Sequence, residues 1–226
     1  MAETIDKTAL YDGLVVPPLV AAAVARARQN GFPFSCVPAQ GHLLQVLAAG
    51  REGGHIGETG SGYGVGLAWM IGACGPSTRF IGVERDDGRA VACRELFAGH
   101  DNVTILHGDW RGIIPHGPFD LLFLDGGGGG KRADDPPADP AQLLTPGGTV
   151  VLDDFHPPAT GWPPAAPGGG EDEYGRDVDR ARQYWFNHPD LLTTEFRVHP
   201  LASAVVGMYR GRSTEEPDGR PEPTAD

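Results

Sequence analysis

Five carboxylates in this chain stand at, or just past, the ends of short apolar runs. Glu58 closes His55-Ile56-Gly57, Glu84 closes Phe80-Ile81-Gly82-Val83, and Asp109 follows Val103-Thr104-Ile105-Leu106. Asp125 ends Phe119-Asp120-Leu121-Leu122-Phe123-Leu124, and Asp153 ends Thr149-Val150-Val151-Leu152. An acid that ends an apolar strand has little structural reason to be there, and ligands of open α/β sheets bind at the carboxyl ends of strands. Directly after Glu58 comes Gly60-Ser61-Gly62-Tyr63-Gly64. Glycines at alternate positions let the backbone turn with positive φ and let a ligand approach with no Cβ in the way. The helix expected next, from Leu67, offers unpaired N–H groups at its start. These residues suit a nucleotide-like ligand laid across a strand end.

The elements that must carry these acids alternate along the chain. Strands are expected at 55–58, 79–84, 103–106, 119–125 and 148–153, with helices at 67–73, 88–98 and 138–144 between several of them. Strands separated by helices mean βαβ units and a mostly parallel sheet. Upstream, Pro17-Pro18 opens an Ala-rich helix that Asn30-Gly31 stops. An extended linker at 32–37 leads to a second helix from Pro38 to Ala49, ended by Gly50. Downstream, an amphipathic helix is expected over 174–188. Two strands follow at 192–199 and 202–210, and their short link makes them antiparallel. The fold class is α/β: a doubly wound, mostly parallel, seven-stranded Rossmann-like sheet with a terminal antiparallel strand. It divides into an N-terminal helical extension (1–50), a ligand-binding domain (51–210) and a charged, Pro-containing, disordered tail (211–226). The Pro/Gly-rich stretch 156–170 is too long and too biased for a plain connector and is expected to be an insertion or a lid.

Composition narrows the function further. The 226 residues carry 40% apolar side chains and a formal charge of −12, with no run of Lys or Arg. That balance argues against a nucleic-acid partner, whose phosphates demand a basic face. Three widely spaced cysteines, Cys36, Cys74 and Cys93, fit neither a disulfide framework nor a CxxC metal site. No signal segment and no apolar run of membrane-spanning length is evident, so a cytoplasmic protein with no membrane partner is expected. Heavy Ala, Gly, Pro and Arg usage points to a bacterial source. A nicotinamide or flavin enzyme would carry G-x-G-x-x-G. Here Val65 stands where Gly60-x-Gly62 needs its third glycine, and Leu67 where Gly62-x-Gly64 needs it.

From roughly Ser35 to Asp154 the chain resembles the class I S-adenosylmethionine-dependent methyltransferases, and among them the O-methyltransferases of the catechol O-methyltransferase type. The resemblance rests on Glu58-Thr59-Gly60-Ser61-Gly62-Tyr63-Gly64, on Glu84, and on Gly108-Asp109-Trp110. Phe119 to Asp125, and Leu144-Thr145-Pro146-Gly147-Gly148 leading into Leu152-Asp153-Asp154, complete it. It implies that Gly60, Ser61, Gly62, Tyr63 and Gly64 pass under the methionine and ribose of S-adenosyl-L-methionine, with Glu58 near the cationic end. Glu84, flanked by Arg85, would accept both ribose hydroxyls. Gly108, Asp109 and Trp110 would meet the adenine, with Asp125 nearby.

The family also implies a divalent cation, suited to Mg²⁺, on Asp125, Asp153 and Asp154. Such an ion lowers the pKa of an acceptor hydroxyl and aims its oxygen at the sulfonium methyl. The candidate catalytic groups are Asp125, Lys131 and His156. Gly126 to Gly130 precede Lys131, a flexible run that would position a base poorly, so a solvated loop lysine is the plainer expectation there. His156 opens a Pro-rich loop, with Trp162, Tyr174 and Trp185 as candidate walls of an acceptor pocket. The expected reaction is O-methylation of a small-molecule hydroxyl. The alternatives are a metal-independent O- or N-methyltransferase of a natural product and a non-catalytic cofactor- or partner-binding domain. Relatives are often dimers, so a homodimer is the expected assembly.

Overall fold

A computed structural model describes residues 6–132, 134–155 and 179–212. Seven strands form one sheet in the order β3-β2-β1-β4-β5-β7-β6. They are β1 (His55–Thr59), β2 (Arg79–Glu84), β3 (Val103–His107), β4 (Phe119–Leu124), β5 (Leu144–Phe155), β6 (Leu191–His199) and β7 (Ala202–Tyr209). The first five pair in parallel, and β7 runs antiparallel to both β5 and β6. The chain builds outward from β1 through β2 to β3, then returns to lay β4 on the other side of β1. That reversal opens a crevice at the carboxyl ends of β1 and β4, the switch point at which doubly wound sheets bind ligands.

The helices are α1 (Pro18–Gln29), α2 (Pro38–Ala49), α3 (Val65–Ile71), α4 (Asp87–Leu96), α5 (Pro140–Leu143) and α6 (Arg180–Asn187). Both faces of the sheet are covered, as parallel strands require. Leu44, Leu67, Trp69, Phe80 and Phe123 belong to one apolar cluster, and Ile113, Phe119, Leu122, Leu152 and Trp185 to the other. β4 shows why its sequence is nearly continuous in apolar residues: Leu121 and Phe123 serve the first cluster, Leu122 and Leu124 the second.

Helix α2 keeps its expected bounds, but α3 begins two residues earlier than the apolar run suggests. Gly64, at φ 85°, is its N-cap, so the glycine turn leads straight into the helix at Val65. Two 3-10 segments escape periodicity altogether. Trp110–His116 is capped by the Asp109 carboxylate, which accepts from Arg111 N–H. Lys7–Tyr11 is capped by Asp6, which accepts from Thr8 N–H. The second of these lies in a stretch with no evident pattern, yet it is firmly held. Tyr11 donates its hydroxyl to Cys36 O at 2.6 Å and accepts from the buried Trp69 Nε1–H at 3.1 Å. The Arg28 guanidinium donates to Thr8 O and to Asp12. Of the helix expected over 174–188, the described part is α6, with Asp179 as its N-cap.

Candidate active site

Gly60 sits at φ 76°, and a Cβ there would come within 2.3 Å of Gly126 Cα. Two backbones therefore touch where β1 and β4 end, and no other residue fits. Gly60 N–H donates to Val83 O, which closes the loop onto β2. Behind this turn Glu58 is 1% exposed, and its Oε2 has no hydrogen-bond partner among the described residues. Burial pushes its carboxyl up to about 8, against the lowering pull of the Ser61 hydroxyl, with Glu84 and Asp153 adding to the rise. A buried carboxylate with an open oxygen is costly unless something meets it.

The cleft beside the turn measures about 540 Å³, and Gly60, Glu84, Arg85, Gly108, Asp109, Trp110 and Asp125 all line it. Glu84 is 4% exposed. Its Oε2 accepts Gly62 N–H at 2.9 Å, while Oε1 accepts Asp86 N–H and the Arg89 Nε–H and Nη2–H. Oε1 is thus filled by three donors, and Oε2 is the oxygen with capacity for a further hydroxyl. Trp110 lies against Gly127 and Gly128 in the apolar cluster, yet its Nε1–H is buried with no partner among the described residues. Asp109 faces solvent and is held by Arg111, whose backbone N–H keeps the carboxyl below its usual range.

Several lining groups carry no sequence signal as site residues, Phe32, Phe34 and Arg89 among them. Phe32 and Phe34, in the stretch expected to be a plain linker, wall the cleft. Phe32 packs edge-on to Tyr63 with ring centroids 5.4 Å apart, which ties the 32–37 segment to the glycine turn. The Arg89 guanidinium lies over the Phe32 ring, 5.2 Å from its centre. Apolar residues close after a helix and an arginine within one carry no motif. Only the position of Arg89 five residues beyond Glu84 hints at the pair.

At the far end of the cleft, carboxylate oxygens of Asp125, Asp153 and Asp154 lie within 4.8 Å of one another. Asp153 is deeply enclosed, and Asp125 is half-buried at the cleft wall. Burial raises both carboxyls, Asp153 to about 6, with the neighbouring Asp154 adding to each. Asp153 Oδ1 is buried without a hydrogen-bond partner among the described residues. Asp154 adopts φ 55°, the one non-glycine residue with positive φ among those described, where β5 loses register between Leu152 and Phe155. That irregularity turns two consecutive carboxylates into one cluster instead of onto opposite faces of the strand. The oxygen donors and the unpartnered Asp153 Oδ1 fit a hard divalent cation.

Lys131 corrects an expectation. Its side chain is 21% exposed, donates to the Asp153 backbone carbonyl, stands 3.8 Å from Asp153 Oδ1 and lies over the Phe155 ring. The glycine run that should have loosened it is instead pinned: Gly128 N–H donates to the buried Asp135 carboxylate, and Gly129 O accepts from Trp185 Nε1–H. A second lysine arrives unannounced. Lys7 Nζ donates to Asp154 Oδ1 at 2.7 Å. Trp185 is therefore a strut of the glycine run and is almost fully buried. His156, Trp162 and Tyr174 lie outside the described residues, as does most of the tail from Gly211. His55 packs on Phe119, and His107 stands 3.5 Å from Asp87, both away from the cleft. No helix among the described residues is long and apolar enough to cross a membrane.

The raised carboxyls make a prediction with a defined sign. Glu58 holds its proton in the folded chain up to about pH 8, against an ordinary value of 4.5. A raised folded value means stability that is complete below the unfolded value and lost as pH rises through the folded one. The ligand-free protein should therefore melt at progressively lower temperature between about pH 5 and pH 8. Glu58→Gln should flatten that decline and raise the melting temperature at pH 8. A decline of unchanged steepness in Glu58→Gln would show that Glu58 is not its source.

Residues 58–155 match the family of methyltransferase domains. Among solved structures, the chain is similar to cofactor-bound Rv0187 from MTB, at 24% identity and TM-score 0.69, over 94% of this chain and 100% of that one. It is also similar to the O-methyltransferase TomG from Streptomyces achromogenes, solved in complex with SAM (21% identity, TM-score 0.67, 91% and 96% covered). A third is the O-methyltransferase from Bacillus cereus in complex with SAH (16% identity, TM-score 0.66, 90% and 96% covered). No curated protein matches the chain.

Proposed function

We propose that this protein is a class I S-adenosylmethionine-dependent methyltransferase that transfers a methyl group to a hydroxyl of a small molecule, with a divalent cation assisting; the match of residues 58–155 to methyltransferase domains supports this reading. The observation that carries this reading is the continuity of one cleft, in which Gly60 and Glu84 stand beside Asp125 and Asp154. On this reading a donor site and an acceptor site would share one wall.

S-adenosylmethionine supplies, when bound, a methyl group already activated on sulfur, so the protein's task is mainly proximity and orientation. Gly60, Ser61, Gly62, Tyr63 and Gly64 would cradle it, and Glu84 would take one ribose hydroxyl on Oε2 beside Gly62 N–H, not both hydroxyls, because Oε1 is already filled by Asp86 and Arg89. Glu58 would face the cationic amino-acid end, where a positive partner would favour the charged carboxylate that burial now opposes. Asp109 and Trp110, with Gly108 and Arg85, would border the adenine, and the unpartnered Trp110 Nε1–H is a donor in waiting. Asp125, Asp153 and Asp154 would hold the cation, whose contribution is to acidify and orient the acceptor hydroxyl. Lys131, fixed over Phe155, would keep Asp153 in place. The N-terminal extension (1–50) would roof the site of the 51–210 domain, because Lys7, Phe32 and Phe34 all reach its edge.

A metal-independent methyltransferase is the second reading, and one observation favours it: the Lys7 ammonium is seated on Asp154. The test is an assay with S-adenosylmethionine and a panel of catechols and related hydroxyl compounds, with Mg²⁺ or with excess EDTA. Methylated product and S-adenosylhomocysteine in equal amounts, abolished by EDTA, are expected. Full turnover in EDTA would remove the cation, and methylation on nitrogen alone would remove the hydroxyl acceptor.

A further inference from the structure

The triad of carboxylates already has a cation of its own. Lys7 comes from the opposite end of the chain, 147 residues from Asp154, and its Nζ lies 2.7 Å from Asp154 Oδ1 with the side chain only 21% exposed. We propose that Lys7 is the resident counter-cation of this site, delivered by the N-terminal 3-10 turn, and that a divalent cation binds by displacing it from Asp154. This rests on the assignment of Asp125, Asp153 and Asp154 as the metal-binding residues.

Three observations support the exchange. Carboxylates this close repel one another unless a positive charge stands among them. Lys131 cannot take the same place, because it is directed to the Asp153 carbonyl and stands 3.8 Å from the Asp153 carboxylate. The turn that brings Lys7 is anchored independently, by the Asp6 cap and by Tyr11 between Cys36 O and Trp69. Lys7 is thus placed by the fold and not merely attracted by charge.

The Lys7–Asp154 pair is also partly exposed, with Asp154 at 45%. Partly exposed ion pairs are weak contacts. A doubly charged ion that gathers three carboxylates can therefore dislodge one ammonium. Once displaced, Lys7 loses its tie to β5, so metal binding and the seating of the Lys7 ammonium on Asp154 are reciprocal effects of one equilibrium.

The experiment uses the full chain as wild type, Lys7→Met and Lys7→Arg. MgCl₂ is titrated by calorimetry, and backbone hydrogen exchange of residues 7–11 is followed with and without MgCl₂. Loss of the competing charge should tighten Mg²⁺ binding in Lys7→Met by about tenfold, while Lys7→Arg stays near wild type. In wild type, Mg²⁺ should accelerate exchange over 7–11. Equal or weaker Mg²⁺ binding in Lys7→Met, with no exchange response in wild type, overturns the role of Lys7 and leaves the metal site standing. No Mg²⁺ binding by any of the three proteins overturns the metal site, and the proposal with it.

Discussion

Replacing Glu84 with alanine is expected to weaken S-adenosylmethionine binding on the order of 100-fold, since hydrogen bonds to a buried charged group contribute about 1.5–3 kcal/mol each. The carboxylate is almost fully buried at the end of β2, and its Oε2 also receives Gly62 N–H from the glycine turn. Its loss removes a ribose acceptor and unties the loop at the same time. Arg89 complicates the picture in a useful way. It saturates Oε1 and stacks on Phe32, so Glu84→Ala leaves a half-buried guanidinium without its partner. Glu84→Gln keeps the shape and one acceptor oxygen, and should fall between the alanine variant and wild type. Calorimetric titration of all three with S-adenosylhomocysteine checks this, with melting curves to confirm that each is folded. Alanine and wild-type proteins of equal affinity would disprove the ribose assignment.

The second large effect concerns Asp153. Asp153→Ala should lower kcat/KM by about 100-fold or more at saturating Mg²⁺, because it deletes the most enclosed of the three proposed ligands, whose proposed task is to orient the acceptor. The same substitution should raise the stability of the metal-free protein at neutral pH. Burial lifts the Asp153 carboxyl from 3.8 to about 6, so the folded chain gives up stability on ionising it as pH rises through that window. Removing it relieves that cost and the repulsion with Asp125 and Asp154. The opposed signs are the test: activity down, metal-free melting temperature up, and affinity for S-adenosylhomocysteine little changed. A variant that loses activity and melting temperature together has lost a structural residue. A variant with full activity has no metal ligand there.

The order of these acids along the chain was readable because each ends an apolar run, and parallel strands bring their ends to one edge of the sheet. Glu58, Glu84, Asp125 and Asp153 needed only that inference, and β7 lies antiparallel beside β6, as the short link between them requires. What sequence could not supply is contact across long separations. Lys7 meets Asp154 over 147 residues, through a 3-10 turn too short for any periodicity. Phe32 looked like linker because its role is to touch Tyr63 and Arg89, which local pattern does not encode. Lys131 was misjudged for a related reason: five consecutive glycines suggest looseness, but Asp135 and Trp185 pin them with hydrogen bonds. Gly64 as an N-cap shows a smaller version of the same limit. Glycine was recognised as a turn residue, but where the turn hands over to helix depends on its φ.

The central claim is that the turn at Gly60 to Gly64, with Glu84 behind it, holds a sulfonium nucleoside. Calorimetric titration of the wild-type protein with S-adenosylmethionine and, separately, with NADH tests it most directly. The account predicts saturable heat with S-adenosylmethionine and none with NADH. Saturable heat with NADH, or no heat with S-adenosylmethionine or S-adenosylhomocysteine, would contradict it.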